Sequence, residues 1–396
     1  MKGTVLLYYI GMISYILFFM NTEVIWTVPL FLFWGMLSMI ILTFLLCLSV
    51  PKYTIKQLIF ISIIFVIVLI SGYNCKRLIL FYSSFALIIG AKDMVFRKLL
   101  YCHFICIFLL LFVSYTGSQI GMIKDFTTYE SYDKDLLPGN SGIRHSLGYV
   151  WPTGFGIHAS FVCLVWFLLR KGKLGFISIA LFLFLSYLSM AKCNCRQGVL
   201  GIVTLIFFSF LLRFKITRNY LSRLSLFAVF FIPVCFVFSL CATLLYDESN
   251  LTWIIFDLLI GNRLRLGQAA VEKYGISMFG QYFEMTGGDS GLLEYNYIDN
   301  SFIQSLVLGG WLVTIIMVGI YTFTSYNAYK RQDLPFVVAI IFSGLSGLSS
   351  QYTFQLMCCP LMIALFAKLG DKKFCKKYEK RRFKESDTRV DTRVLS

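Results

Sequence analysis

The chain has 396 residues, of which 58% are hydrophobic and only 14% charged, with a formal net charge of +16. A soluble domain carries charge on about a quarter of its residues, so this composition excludes an ordinary water-soluble enzyme. The positive excess lies between apolar blocks and in the tail after Lys368, a distribution that signals membrane topology and attraction to anionic lipid and argues against a nucleic-acid partner.

Twelve apolar blocks follow one another at 3–20, 30–50, 58–73, 78–91, 99–117, 153–169, 174–191, 197–212, 224–245, 302–325, 334–350 and 353–367. An α-helix needs roughly 20 apolar residues to cross the hydrocarbon core, and most blocks approach that length. The ten-residue alternation of a transmembrane barrel is absent. The expected fold is therefore all-α, a polytopic transmembrane helical bundle of about twelve spans. Residues 1–367 form the membrane domain and 368–396 a basic cytoplasmic tail. The apolar run that follows Lys2 resembles a signal peptide, but no small-residue cleavage site follows it, so it counts as the first helix. The last two blocks are short and are interrupted by Gly344, Gly347 and Pro360, which leaves a re-entrant pair open as an alternative to two spans.

Of the 36 Lys and Arg, 26 fall in the N-terminus, the tail and the alternate connections on that side. The positive-inside rule then puts both termini in the cytoplasm. The two long connections, 118–152 and 246–301, fall outside, where any catalytic surface belongs. Most of the 12 cysteines lie within apolar blocks and act as small hydrophobes, while Cys193 and Cys195 fit neither a zinc knuckle nor a redox pair. His103 and His158 fall in spans and are expected as packing or hydrogen-bonding residues. No nucleotide-binding or zinc-protease motif occurs, and neither a cofactor nor a metal is expected.

Three outer segments carry the candidate chemistry. Arg144 and His145 sit in a Gly- and Pro-bounded stretch that returns to the membrane through Tyr149, Trp151 and Pro152. They face either an anionic substrate or lipid headgroups, and the two aromatics suit an interfacial belt. Arg196 lies in the tight hairpin Lys192 to Gly198, where its planar fork suits a phosphate, although snorkelling accounts for it equally. Arg263 and Arg265 belong to a loop that is otherwise net acidic. If 263–274 is a helix with Asn262 as its N-cap, then Arg263, Gly267, Ala270 and Tyr274 share one face. Arg265 then points elsewhere with Gln268 and Glu272, and Arg263 gains from the helix N-terminus as an anion platform.

Taken in order, Arg144 to Pro152, Arg196 with Gly198, Asn262-Arg263, Phe279-Gly280 and Ile298-Asp299-Asn300-Ser301-Phe302 leading to Gly309-Gly310 resemble the O-antigen and capsular polysaccharide polymerases, relatives of the O-antigen ligases. That resemblance implies a glycosyltransferase of the bacterial inner membrane that is metal-independent and inverting. Its donor is a glycan on undecaprenyl diphosphate, and its acceptor is one lipid-linked repeat unit. Arg196 and Arg263, with Arg144 and Arg265 behind them, are then the diphosphate-binding residues. Asp299 is the general base, and His145, Tyr274, Tyr297 and Asn300 are substrate contacts. The ligases usually carry His at the position of Asp299, which favours a polymerase. Capping of the helix that begins near Phe302 is the competing role for Asp299. Membrane lipid and the chain-length regulator and flippase of the same pathway are the implied partners. The competing functions are a flippase or transporter of lipid-linked sugars, which should carry ionisable residues inside its spans, an O-antigen ligase, and a non-catalytic scaffold.

Overall fold

A computed structural model describes residues 2–129, 143–285 and 296–369. The first half of the chain forms α1 (Lys2–Met20), α2 (Phe31–Ser49), α3 (Ile55–Asn74), α4 (Leu78–Gly90), α5 (Phe96–Gln119), α6 (Pro152–Leu169), α7 (Phe176–Ala191) and α8 (Arg196–Leu211). The second half forms α9 (Lys215–Leu224), α10 (Phe231–Leu244), α11 (Leu251–Leu259), α12 (Arg263–Tyr274), α13 (Ser301–Gln304), α14 (Gly310–Arg331) and α15 (Leu334–Ser349). Local chemistry sets several of these boundaries. Thr54 and Gln57 form a reciprocal capping box at the start of α3. Pro152 occupies the first turn of α6, where its missing N–H costs nothing. Asp333 accepts from the backbone N–H of Phe336 at the head of α15.

Among the described residues six helical stretches are long and apolar enough to cross a membrane, or seven if α8 and α9 count as one bent span. The six are α1, α2 with its 3-10 extension, α3, α5, α6 and the run Ser301–Arg331, and four shorter apolar helices accompany them. This is an all-α membrane protein. Met36, Ile40 and Phe44 of α2, Ile59 and Phe60 of α3, and Phe176 and Ile177 of α7 are exposed, an apolar belt that only lipid would cover favourably. At the centre, α6 is buried along most of its length against α5, α7, α8 and α15. Gly198 lets the start of α8 touch α6 backbone to backbone, since a Cβ there would collide with the Gly156 carbonyl.

The connections gather at two ends. At one end, which we call the loop face, the α1–α2 connection pairs with the 143–151 segment, Val24 bridging to Tyr149. Asn74 reaches Phe279 there, and Trp151 meets Tyr297. The opposite end holds the bridge between Val95 and Lys368 and the bond from Arg213 to Leu174.

Several expectations change in detail. The block 353–367, expected as a twelfth span, is a run of turns closing in a 3-10 helix at Pro360–Leu365, because Pro360 removes the donor a continuous helix would need. The block 224–245 begins as a helix only at Phe231, after a 3-10 turn. The connection 213–223 is itself mostly helical, since α9 leaves α8 at 116°. The loop 118–152 contains a small antiparallel hairpin, Thr127–Tyr129 with Ile143–His145, and the loop 246–301 contains α11 and α12. The basic tail lies outside the described residues, apart from its first positions.

Between α13 and α14 the helix widens into a π turn at Ser305–Gly309. Loop residues dock there. Gln281 N donates to Leu308 O at 3.0 Å, and Trp311 N donates to Ser277 O at 3.1 Å. Gly280 and Gly310 both have positive φ, and a Cβ on either would strike the other's backbone or its neighbours. Only glycine fits this seam.

Candidate functional site

The site is built where the broken helix begins. Asn300 occupies the N-cap, its Oδ1 accepting from Phe302 N at 3.0 Å and from Ile303 N at 3.2 Å. Its Nδ2 donates to Ser239 Oγ of α10 at 2.7 Å and to Leu348 O of α15 at 3.1 Å. The side chain is buried and its amide is fully committed to holding three helices together. The capping role weighed for Asp299 therefore belongs to its neighbour. Asp299 instead forms an ion pair with Nη1 of Arg263, each side chain about one-fifth exposed, at 21% and 20%.

Arg263 is the first residue of α12, as the sequence implied, but the cap differs. Asn262 takes a left-handed conformation (φ 61°) and its side chain caps nothing. Asp257 of α11 accepts from Leu264 N at 2.7 Å in its place. Burial pushes the Asp257 carboxyl above its ordinary value, opposed by the N–H groups of Leu264 and Arg265 and by the charges of Arg265 and Arg263. Arg263 Nε is buried and has no hydrogen-bond partner among the described residues, so the guanidinium keeps donor capacity beyond Asp299.

Two further arginines stand near the Cys193–Cys195 hairpin. Arg144 Nε donates to Cys193 O at 3.2 Å, and His145 N donates to Lys192 O at 2.8 Å. Cys195 lies within electrostatic reach of both Arg144 and Arg263. Arg196 begins α8, is exposed, and has no hydrogen-bond or ion-pair partner among the described residues. The structure thus gathers Arg144, Arg196, Arg263 and Asp299 on the loop face. Arg265 is exposed and, despite its different helical position, lines one pocket with Arg263, Asn262 and Glu248. His145 Nδ1 lies 2.6 Å from Asp125 Oδ2, and the same carboxylate accepts from Leu147 N at 2.8 Å, which makes His145 part of a turn-holding pair. Tyr274 sits at the far end of α12, stacked on Phe283 at 4.6 Å, with its hydroxyl accepting from Asn296 at 2.8 Å.

Tyr297 lies between this group and a second one that the sequence did not suggest. Its ring meets Trp151 edge-on at 5.9 Å, and its hydroxyl accepts from Gln351 Nε2 at 2.6 Å. Gln351 Oε1 in turn accepts from Gln304 Nε2 at 2.7 Å. Burial, with the negative charges of Glu23 and Asp299, raises the Tyr297 phenol well above its usual range. Glu23 is buried and accepts from Tyr352 Oη at 2.6 Å. Burial pushes its carboxyl up to about 7, against the lowering effects of the Tyr352 hydrogen bond and the Arg77 charge. Glu23 is the only acid among the first 92 positions, the one signal that singled it out. Arg77, in the short connection between α3 and α4, carried none.

A cavity of about 640 Å³ opens beside this group between α3, α4 and the run from Ser301 to Phe323. Arg77, Ser301, Gln304 and Gln351 line its end at the loop face, and Ile61, Phe85, Val313 and Phe366 are among the apolar residues deeper in. The two span histidines are held as expected: His103 bonds Leu356 and Met357 carbonyls, and His158 lies 2.8 Å from Gly154 O and 3.3 Å from Cys358 Sγ. Among the described residues no group of three or more His, Cys, Asp or Glu is placed to hold a metal ion. No protein-family model, no curated protein and no solved structure matches this chain.

Proposed function

We propose that this chain is a polysaccharide polymerase that joins lipid-diphosphate-linked oligosaccharide repeat units at the extracytoplasmic face of the bacterial inner membrane. In this reading the loop face is extracytoplasmic and both termini are cytoplasmic, with the α8–α9 pair and the shorter apolar helices making eleven helical crossings and the run 350–367 returning the chain to the Val95–Lys368 end as the twelfth. The observation that carries it is the Arg263–Asp299 ion pair, a guanidinium and a carboxylate held together at the membrane boundary beside Arg144 and Arg196.

The chemistry follows from that pairing. A diphosphate leaving group departs with its own negative charge, so fixed cations lower the barrier more than a protonating acid would. Arg263 grips the incoming diphosphate with its fork, helped by the N–H groups at the start of α12, and Arg196 and Arg144 neutralise the rest. Exchange of Asp299 for phosphate oxygens frees the carboxylate, which then takes the proton from the acceptor hydroxyl as that oxygen attacks the anomeric carbon. The bond to the diphosphate breaks, and the configuration there inverts. Tyr297 and Trp151 provide an aromatic flank for sugar rings.

Deletion of the chain in its host tests this function. Loss of polymer with single repeat units still displayed supports a polymerase. Loss of all displayed sugar points to a flippase or a ligase, and unchanged polymer overturns the reading.

A further inference from the structure

We propose that Gln351, in the run of turns that follows α15, is a positioning residue for Asp299: together with Gln304 it holds the chain just before the carboxylate, so that Asp299 meets Arg263 in one place. Its part in the reaction rests on the polymerase reading; the holding of the segment does not.

The stretch 297–301 is tied to the bundle on both sides of Asp299. After it, the Asn300 amide is bonded to α10 and α15, and Ser301 Oγ donates to Ser350 O and accepts from Thr353 N at 3.2 Å. Before it, three side chains form a chain of bonds. Gln304 Nε2 donates to Ile298 O at 3.0 Å and to Gln351 Oε1 at 2.7 Å, and Gln351 Nε2 donates to Tyr297 Oη at 2.6 Å. Both glutamines are buried, where an amide left without its partners is costly, so the network favours one arrangement of the segment. That matters for a base. It acts only within hydrogen-bond reach of the proton it takes, and a displacement of about 1 Å can cost on the order of 10²-fold in rate. The turns after α15, expected as part of a span, thereby join three parts of the loop face: Ser350 receives Ser301, Gln351 reaches Tyr297, and Tyr352 donates to Glu23 at 2.6 Å. Tyr297 carries the same link on to Trp151, through the edge-on contact of their rings.

Two measurements on purified full-length protein test this. Hydrogen–deuterium exchange reads the holding of the segment, and initial rates on a lipid-linked repeat unit read its consequence. Gln351→Leu keeps the bulk of the side chain and removes its bonds. Tyr297→Phe removes one oxygen and leaves the ring against Trp151, so it decides the matter should Gln351→Leu not fold. In each variant the amides of 297–303 should exchange about tenfold faster while those of 263–274 keep their wild-type rate. In each, kcat should fall roughly 10- to 100-fold at constant KM. Gln351→Leu added to Asp299→Asn should cost nothing more, because a positioning residue has no effect once the group it positions is gone, whereas a general loss of packing adds to the first change. Wild-type exchange at 297–303 in the folded variants overturns the proposal, and so does an additive loss in the double variant or a rise in KM at unchanged kcat. Faster exchange as expected, in a protein whose wild type joins no repeat units, keeps the holding of the segment and removes the polymerase reading.

Discussion

Asp299 and Asn300 are adjacent, and the structure divides between them two tasks that the sequence left on one. Asn300 caps the helix, so a change at Asp299 spares the cap. Asp299→Asn should insert and fold normally while losing about 10² to 10⁴ in polymerisation rate, the usual contribution of a general base. Polymer of normal length from this variant removes the base assignment. Arg263→Lys keeps the charge but loses the fork, so polymer should shorten without loss of protein from the membrane, as judged by gel banding beside quantified protein. Glu23 gives a pH dependence whose sign is set by burial. Its carboxyl titrates near 7 in the folded chain against 4.5 when exposed, so the folded state holds that proton more tightly. The associated stability is complete below about pH 4.5 and is lost as pH rises through 7, on the order of 3 kcal/mol at most. The melting temperature in detergent should fall across that window and level off above it. Glu23→Gln should flatten the slope; an unchanged slope assigns the effect elsewhere.

Elements were legible where a single force governs them. An apolar block of membrane length becomes a helix because no water is present to satisfy its backbone, and α1 to α8 follow their blocks closely. Even α12 matched its expected range of 263–274, with Gly275 after it, although Asn262 before it makes no side-chain cap. What failed was long-range. The cap from Asp257 comes from another helix, the 3-10 segment at Pro360 is stabilised by packing rather than by its own pattern, and the Arg263–Asp299 pair joins residues far apart in sequence. Arg77 and Glu23 gained meaning only when folding placed them beside a cavity and a tyrosine. The seam at Gly280 and Gly310 allows a direct test at this scale. Alanine at Gly310 must take a left-handed conformation and also displace the 278–280 backbone. Gly310→Ala should therefore lower the melting temperature by several degrees, whereas Gly319→Ala, in open space, should leave it unchanged or raise it slightly.

At the scale of the molecule, the proposed orientation places the connections 21–30, 192–195 and 245–300 outside and 170–175 and 212–230 inside. Single thiols report this directly. Ser249→Cys should react with an impermeant reagent added to intact spheroplasts, and Lys173→Cys should react only after lysis. The reverse pattern inverts the bundle and with it the proposed site.

The bend of 116° at the end of α8 has a consequence for the depth at which the bundle sits. Ile216, Tyr220 and Leu224 recur every fourth residue along α9 and are all exposed, with Lys215 and Arg218 on other sides. In the proposed orientation such a helix, inclined at 116° to α8, would lie along the lipid boundary with its apolar stripe inward and act as a float. The float fixes the waterline at its own face, so a change in bilayer thickness is taken up at the other, where the arginines and Asp299 stand. A thicker bilayer draws that cluster toward hydrocarbon and a thinner one lifts it clear. Activity in nanodiscs should therefore pass through a maximum as lipid chain length is varied, and replacing Ile216 and Leu224 with Ser should broaden that maximum by loosening the float.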